Sequence, residues 1–369
     1  EVIIIGGSTT ATCLFDHAAN TFAVGPAFLS ATGLGSYSFK PQNPASPEYG
    51  NTLVSCANNS AGVVRFAAND TGTGSVYALT GGNANLGAHA IRATAGSYAG
   101  KWIHFNSGTK TTIFTENPPA MSLGYTTGIG VLNGAISFEV FSGVRAGQVI
   151  TIFGASSTNL FAYDLLADAA ATTPTALSTG VNQGSLFLRQ QGTNSYDAPV
   201  LLHGANTTAS SIYDAAAGKF INGPLPTGAL TGGSTSIFMP GSGSNGAFFI
   251  VNGSPTPSTS VYFPGSNSFH GSRTPGRVPD IGVSSFRIPS GTWQGRTLIV
   301  GGNAITTTAV YDPLTHQIVP GPDYDVSITP GTTSFAVPLT QGPNAGKVIV
   351  FQGATATYRV FDPATNAFF

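Results

Sequence analysis

Short apolar stretches alternate along the chain with turns rich in Gly, Pro, Asn and Asp, and none has the helical period of about 3.6 residues. The last unit shows the pattern most plainly. Residues 333–338 alternate small or polar residues with apolar ones, 347–353 form an apolar run that ends on Gly, and 357–366 end in a Phe-Asp-Pro turn. The pattern predicts three short strands that cannot bury both faces alone, so the unit must stack on copies of itself.

The aromatic residue of the third strand recurs through the whole chain. It stands at Phe15, Phe66, Phe114, Tyr163, Tyr213, Tyr262, Tyr311 and Phe361, at intervals of 48 to 51 residues. Nine residues before this anchor, a strand-ending Gly stands at Gly6, Gly154, Gly204, Gly253 and Gly302. After the anchor, Asp is common and closes an Asx-type turn. The chain therefore predicts eight copies of one unit of about 50 residues.

Counting strands predicts an all-β propeller of eight four-stranded blades that forms a single domain over residues 1–369, with a seven-bladed ring as the alternative. The first blade lacks its innermost strand because nothing precedes Glu1, and the last fourth strand is a stub at 367–369. The Ala-rich segment 165–173 is the one place where a helical turn fits the pattern.

The unit resembles the kelch repeat of galactose-oxidase-like β-propellers. The matching residues are Ile5-Gly6-Gly7 with Phe15-Asp16, Val300-Gly301-Gly302 with Tyr311-Asp312-Pro313, and Phe361-Asp362-Pro363. In place of the kelch Trp, this chain has Phe or Ile. The resemblance implies the propeller fold and leaves the function open.

Composition favours a secreted or surface-displayed protein. Charged residues make up 8% of the chain, against about 25% in average proteins, and Ser, Thr, Asn and Gly take their place. The net charge of -1 argues against nucleic-acid binding, and no apolar run approaches the roughly 20 residues of a membrane helix. No signal peptide precedes Glu1, which predicts a processed mature form or a segment of a longer protein.

The two cysteines leave two alternatives open. Cys13 and Cys56 stand in adjacent blades, where a disulfide would suit an oxidising compartment, or both are buried free thiols. His104 and His203 share one register two blades apart. We expect them to be satisfied in the core or solvated, because ring geometry holds them too far apart for one metal ion. The sequence predicts no metal and no cofactor.

Catalytic motifs are lacking, which predicts a chain that is not an enzyme. Copper-radical oxidases resembling galactose oxidase need two Tyr, two His and a Cys crosslinked to Tyr. Here the histidines are scattered and neither cysteine stands in a recognisable site. No nucleophile elbow or P-loop occurs either. An oxidase of this type is retained only as an alternative function.

Glycan binding is a second alternative, because exposed aromatic rings beside polar side chains suit sugars. The candidate platforms are Trp293 and Tyr196, in loops between first and second strands, and the candidate polar loop is Asp323-Tyr324-Asp325, which suits a sugar hydroxyl or a cation. Trp102 begins a strand and is assigned to the core. N-glycosylation sequons occur at Asn58, Asn69, Asn206 and Asn252 and matter only if the source glycosylates them.

The main prediction is a non-enzymatic extracellular or cell-surface module for adhesion, interaction or self-assembly. Its partners would be proteins or further copies of the chain, joined by β-augmentation at unpaired strand edges. The edges in question are 2–5, exposed by the missing innermost strand, and 357–361, next to the outer stub.

Overall fold

The computed structural model describes most of the chain. The described residues are 2–5, 11–16, 19, 21–25, 36–56, 62–66, 74–182, 184–188, 199–204, 206–231, 234–239, 246–252, 258–271, 284–300, 306–325, 335–351 and 357–369. Tyr196, Asn58 and Asn69 lie outside these ranges.

The strands follow the repeats and form eight consecutive antiparallel sheets, which we number one to eight. Sheets one to four contain β1 (Val2–Ile5), β2 (Thr12–Asp16), β3 (Thr21–Val24); β4 (Tyr37–Phe39), β5 (Thr52–Ser55), β6 (Gly62–Phe66), β7 (Gly74–Ala78); β8 (His89–Arg92), β9 (Trp102–Phe105), β10 (Lys110–Glu116), β11 (Pro119–Thr126); β12 (Ile136–Glu139), β13 (Gln148–Ile152), β14 (Leu160–Asp164), β15 (Ala169–Ala171). One-turn 3₁₀ helices occupy Gly96–Tyr98 and Gly143–Arg145.

Sheets five to eight repeat the arrangement. They contain β16 (Leu186–Leu188), β17 (Val200–Leu202), β18 (Ser210–Asp214), β19 (Lys219–Asn222); β20 (Thr235–Met239), β21 (Ala247–Val251), β22 (Thr259–Phe263), β23 (Ser268–Gly271); β24 (Ser284–Arg287), β25 (Thr297–Val300), β26 (Thr308–Asp312), β27 (Gln317–Pro320); β28 (Phe335–Pro338), β29 (Val348–Phe351), β30 (Tyr358–Asp362), β31 (Ala367–Phe368).

This architecture confirms the β-propeller class with eight blades, and the seven-bladed alternative is wrong. Sheet one has three strands in the described part of the chain, and every other sheet has four strands joined in chain order. The outer strand of sheet eight is the predicted stub. The Ala-rich segment forms a turn and strand β15, with no helical turn, because the hairpin pairs Ala162 with Ala171.

The anchor aromatics are buried wherever their side chains are described. The exposed fraction is between 0% and 6% for Phe15, Phe114, Tyr163, Tyr213, Tyr262, Tyr311 and Phe361. Phe15 packs on the ring of Phe22 in its own sheet, and each of the others packs into an apolar cluster or against rings of a neighbouring sheet. Phe361, for example, belongs to the cluster between sheets seven and eight with Leu298 and Val350. Burying such a ring fully contributes roughly 1.5–3 kcal/mol, which explains why the period survives when other repeat positions vary.

The chain divides into two compact units. The first comprises Glu1–Asp16, Thr21–Asn182 and Tyr213–Ile221, and it has an apolar core between sheets two and three and another between sheets three and four. The second comprises His17–Asn20, Gln183–Ile212 and Asn222–Phe369, with cores between sheets five and six, six and seven, and seven and eight. The single domain over 1–369 stays a prediction.

Candidate ligand-binding surface

The polar loop Asp323-Tyr324-Asp325 is held in place by backbone contacts after β27. The Gly321 N–H donates to the carbonyl of Thr308 at 2.9 Å, and the Tyr324 N–H donates to that of Thr306 at 2.8 Å. With the backbone fixed in this way, the Tyr324 ring turns inward and lies edge-on to Phe368 at 4.9 Å between ring centroids. The two flanking carboxylates are exposed.

Asp325 forms a bidentate ion pair with Arg359 of β30. The guanidinium Nε and Nη2 donate to the two carboxylate oxygens at 2.6 and 2.8 Å, and Nη1 donates to the Tyr358 carbonyl at 2.9 Å. This hydrogen bonding lowers the pKa of Asp325 and raises that of Arg359. The side chain of Asp325 is 65% exposed, so its oxygens can still accept further hydrogen bonds from solvent or a ligand.

Three aromatic residues line up across sheet eight, on the face opposite to the Arg359 side chain, because Tyr358 and Arg359 are consecutive residues of β30. Phe335 pairs with Phe351 and Phe351 with Tyr358, which places the three side chains on one face. The ring centroids of Phe335 and Phe351 are 4.8 Å apart in a stacked arrangement, and those of Phe351 and Tyr358 are 6.0 Å apart. Phe351 is buried between the others, while Phe335 and Tyr358 are 36% and 39% exposed. We call the face that Phe335 and Tyr358 expose the sheet-eight surface.

Sheet eight carries the two kinds of group that sugar recognition uses, the rings on one face and the ion pair on the other. The face of an aromatic ring is electron-rich and packs against the weakly positive C–H face of a sugar ring. A carboxylate and a guanidinium supply acceptors and donors for hydroxyl groups, and charge-assisted hydrogen bonds of this kind are the stronger ones. The two exposed rings can therefore stack on the C–H face of a sugar, while the ion pair offers hydrogen bonds on the other face of the sheet.

The structure brings together some of the sequence-predicted site residues and separates others. Asp325 pairs with Arg359 on the face of sheet eight opposite to the rings, and Asp323 is exposed close to Asp325 in the chain. Tyr324 is fully buried, so the expectation that it contacts a ligand is corrected: its ring presents no face to solvent. Trp293 is half-buried and packs against the core between sheets seven and eight. The ligand roles of Trp293, Asp323 and Asp325 stay predictions.

Sequence reasoning missed Phe335, Tyr358 and Arg359. Each is an ordinary strand residue in the sequence, and only the pairing of three strands places the two exposed rings on one face. The signal that could have found them is register, because Phe351 and Tyr358 stand ten and three residues before the anchor Phe361.

The two histidines that share a register are both core residues. Nδ1 of His104 lies 2.7 Å from the Tyr37 hydroxyl, and Nε2 of His203 lies 2.8 Å from the Ser211 hydroxyl. Both rings are fully buried. Burial lowers the pKa of His104 to about 3, so its imidazole is neutral near neutral pH.

The two cysteines are free thiols. The Cys56 sulfur is buried against Val54 and Val64 in its own sheet, and Cys13 sits in the middle of β2. Burial raises the pKa of both thiols, to about 11 for Cys56. The sequence left a disulfide and two free thiols as alternatives, and the structure has the free thiols.

The described residues do not fit a copper-radical site. Tyr–His contacts occur at Tyr37–His104 and at Tyr311–His316, but these pairs stand on different sheets, and each has one imidazole. Within the described ranges, no three His, Cys, Asp or Glu side chains come together in a way that could hold a metal ion.

Comparison with known proteins adds the fold and little more. No family model matches the chain, and no curated protein matches it. Among solved structures, the chain resembles a fungal alcohol oxidase of the AA5 family in complex with copper, with 12% sequence identity and a TM-score of 0.52. The match covers 96% of this chain and 72% of the oxidase. At this identity, the likeness establishes the fold alone.

The comparison corrects the prediction that the chain is not an enzyme. Along nearly its whole length, this chain resembles a solved structure that is an enzyme. The prediction rested on missing motifs, but catalytic groups are recognised by geometry and can come from distant parts of a chain without any local motif.

No helix in the described ranges has the length and apolarity that a bilayer crossing requires.

Proposed function

We propose that this chain binds carbohydrate outside the cell through the sheet-eight surface. The observation that carries the proposal is the pair of partly exposed rings, Phe335 and Tyr358, which share one face of sheet eight with Phe351. Aromatic rings exposed together on one sheet face are uncommon on a protein surface that binds no ligand. The low charge and the many Ser, Thr, Asn and Gly residues support an extracellular location.

A glycan array followed by titration calorimetry tests this proposal. We expect Tyr358→Ala to weaken binding at least about tenfold, which corresponds to about 1.4 kcal/mol, because it removes one face of the platform. Tyr49→Ala is the matched control, since Tyr49 is 55% exposed and lies in the other compact unit. An array without any bound glycan, or equal losses in the two variants, would refute the proposal.

Copper-dependent alcohol oxidation is the second candidate, and the likeness to the fungal alcohol oxidase supports it. Because no three His, Cys, Asp or Glu side chains of the described ranges come together, the copper ligands would have to include tyrosines or residues outside those ranges. Purified protein should be loaded with copper, dialysed and analysed for bound metal, and its oxygen uptake measured with a panel of primary alcohols. One tightly held copper with alcohol-dependent oxygen uptake supports the oxidase, whereas copper lost on dialysis rejects it.

Assembly through strand edges remains a further proposal of ours. Among the described residues, β1 is hydrogen-bonded on one side only, to β2, while the equivalent strands of the other sheets have neighbours on both sides. An edge of this kind can accept a strand from a partner. Light scattering across a concentration series tests this, because a constant monomer mass argues against self-assembly.

A further inference from the structure

Two of the four N-glycosylation sequons lie in the described part of the chain, and their asparagines have opposite environments. Asn206 is exposed in the loop between β17 and β18. Asn252 is fully buried at the end of β21. Sequence alone treats the two sites as equal, since both match Asn-x-Ser/Thr.

The side chain of Asn252 is buried in the core and forms hydrogen bonds there. Its Nδ2 donates to the hydroxyls of Ser258 and Ser260 at 2.9 and 3.2 Å. The backbone at Gly228 covers this amide so closely that a Cβ there would lie 2.7 Å from Nδ2. N-glycosylation needs this same nitrogen, free and accessible. A glycan on Asn252 is therefore incompatible with the folded sheet.

At Asn206 the situation is the opposite: hydrogen bonds fix the backbone, and the side chain is exposed. Its N–H donates to the Leu230 carbonyl at 2.8 Å, and the next residue, Thr207, hydrogen-bonds through its hydroxyl to the His203 carbonyl at 3.0 Å. Its φ of 62° lies in the left-handed region, which Asn tolerates better than most residues. The hydroxyl-bearing third residue of the sequon, Thr208, is also exposed.

We propose that Asn206 is an N-glycosylation site of this protein and that Asn252 is not. In the transfer, the bond between C1 of a lipid-pyrophosphate-linked oligosaccharide and its phosphate oxygen breaks, and a C1–Nδ2 bond forms. Nδ2 loses one proton and the lipid pyrophosphate leaves with the electron pair. This inference rests on the extracellular location proposed above and not on carbohydrate binding.

Peptide mapping of the secreted chain tests the assignment. The 369-residue chain is expressed behind a secretion signal in a eukaryotic host, and peptides are compared by mass spectrometry before and after enzymatic removal of N-glycans. We expect the peptide with Asn206 to carry glycan and the peptide with Asn252 to be unmodified. A bare Asn206 in folded, secreted protein overturns the inference, and so does a glycan on Asn252.

Two variants separate the modification from effects on folding. Thr208→Ala keeps Asn206 but destroys the sequon, and Asn206→Asp keeps a side chain that tolerates positive φ. Both should lose the glycan of this site while their melting curves, taken after deglycosylation, match the wild type. Glycan mass that persists on this peptide in either variant would place the modification elsewhere. Failure of the glycan array would leave these results unchanged, so the two proposals are tested separately.

Discussion

Gly291 lies directly against the carbonyl oxygen of Pro363, so a Cβ atom at Gly291 would overlap with that oxygen. Gly291 belongs to the loop between β24 and β25, and Pro363 begins the turn between β30 and β31. The same relationship joins Gly96 to the Leu165 carbonyl and Gly143 to the Ala215 carbonyl. In each case a loop of one sheet rests on the outer hairpin turn of the next sheet, and only Gly leaves room for the contact.

This contact predicts that Gly291→Ala destabilises the protein more than Gly295→Ala in the same loop. Both residues have φ near +80°, at 80° and 82°, which costs roughly 1–2 kcal/mol for Ala. Only Gly291 meets backbone; the nearest atom to a Cβ at Gly295 is the end of the flexible Arg287 side chain at 3.5 Å. Overpacking should add about 1–3 kcal/mol at Gly291, measured by chemical denaturation. Equal losses would mean that the loop moves away freely.

Tyr213→Ala should remove about 3–5 kcal/mol from the free energy of unfolding, as for other buried aromatics. Tyr213 is 1% exposed, and its ring centroid lies 5.5 Å from that of Phe138 and 5.3 Å from that of Phe220. Tyr49→Ala is the control on the surface and should change stability by less than about 0.5 kcal/mol. A loss below about 1 kcal/mol for Tyr213→Ala would show that the anchor is not a core residue.

The buried carboxylate of Glu116 should contribute strongly to the free energy of unfolding. It is 3% exposed and accepts hydrogen bonds from the backbone of Gln42 and Asn43, from Arg92 Nε at 3.2 Å and from Trp102 Nε1 at 3.0 Å. Glu116→Ala leaves these donors without their acceptor and should cost about 3–5 kcal/mol.

A second substitution removes one of those donors. Trp102→Phe removes the indole N–H together with part of the ring volume and should cost about 1–3 kcal/mol. A loss as large as that of Glu116→Ala would contradict the expected ranking of the two variants.

Acid should destabilise the protein through His104. Burial lowers its pKa to about 3 in the folded state, whereas an unfolded imidazole titrates near 6.5. Unfolding therefore takes up a proton below about pH 6.5. The free energy of unfolding should fall as pH drops from about 6.5 to about 3, by at most about 1.4 kcal/mol per pH unit for this group. The contribution is fully present above pH 6.5.

Denaturation curves between pH 7 and pH 4 measure this slope. His104→Gln keeps a polar group beside the Tyr37 hydroxyl but cannot titrate in this range, so its slope should be shallower by up to one proton. Burial also lowers the pKa of His89, which therefore leaves a slope of the same sign in the variant. Identical slopes in the two proteins would show that His104 is accessible to protons in the folded state.

The fold could be predicted from the sequence because its signals are local. The anchor aromatic, the strand-ending Gly and the turn-closing Asp act within one repeat, where strand alternation and turn chemistry are set by neighbours in the chain. Eight sheets, the three-stranded first sheet and the short last strand followed from counting these signals. The same local signals left segment 165–173 ambiguous, since Ala suits helix and strand alike until β15 pairs with β14.

Contacts between residues far apart in sequence were decided only by the tertiary structure. The sequence shows neither that Phe335, Phe351 and Tyr358 share a face nor that Arg359 reaches Asp325 from the next sheet. It also places Tyr324 in a candidate binding loop and Tyr358 in an ordinary strand, and it treats Asn206 and Asn252 as equal sequons. Burial separates the members of each pair, and burial depends on which strands pair and which sheets stack. One repeat can specify its own strands and turns, but the environment of a side chain is set by its neighbours in other repeats.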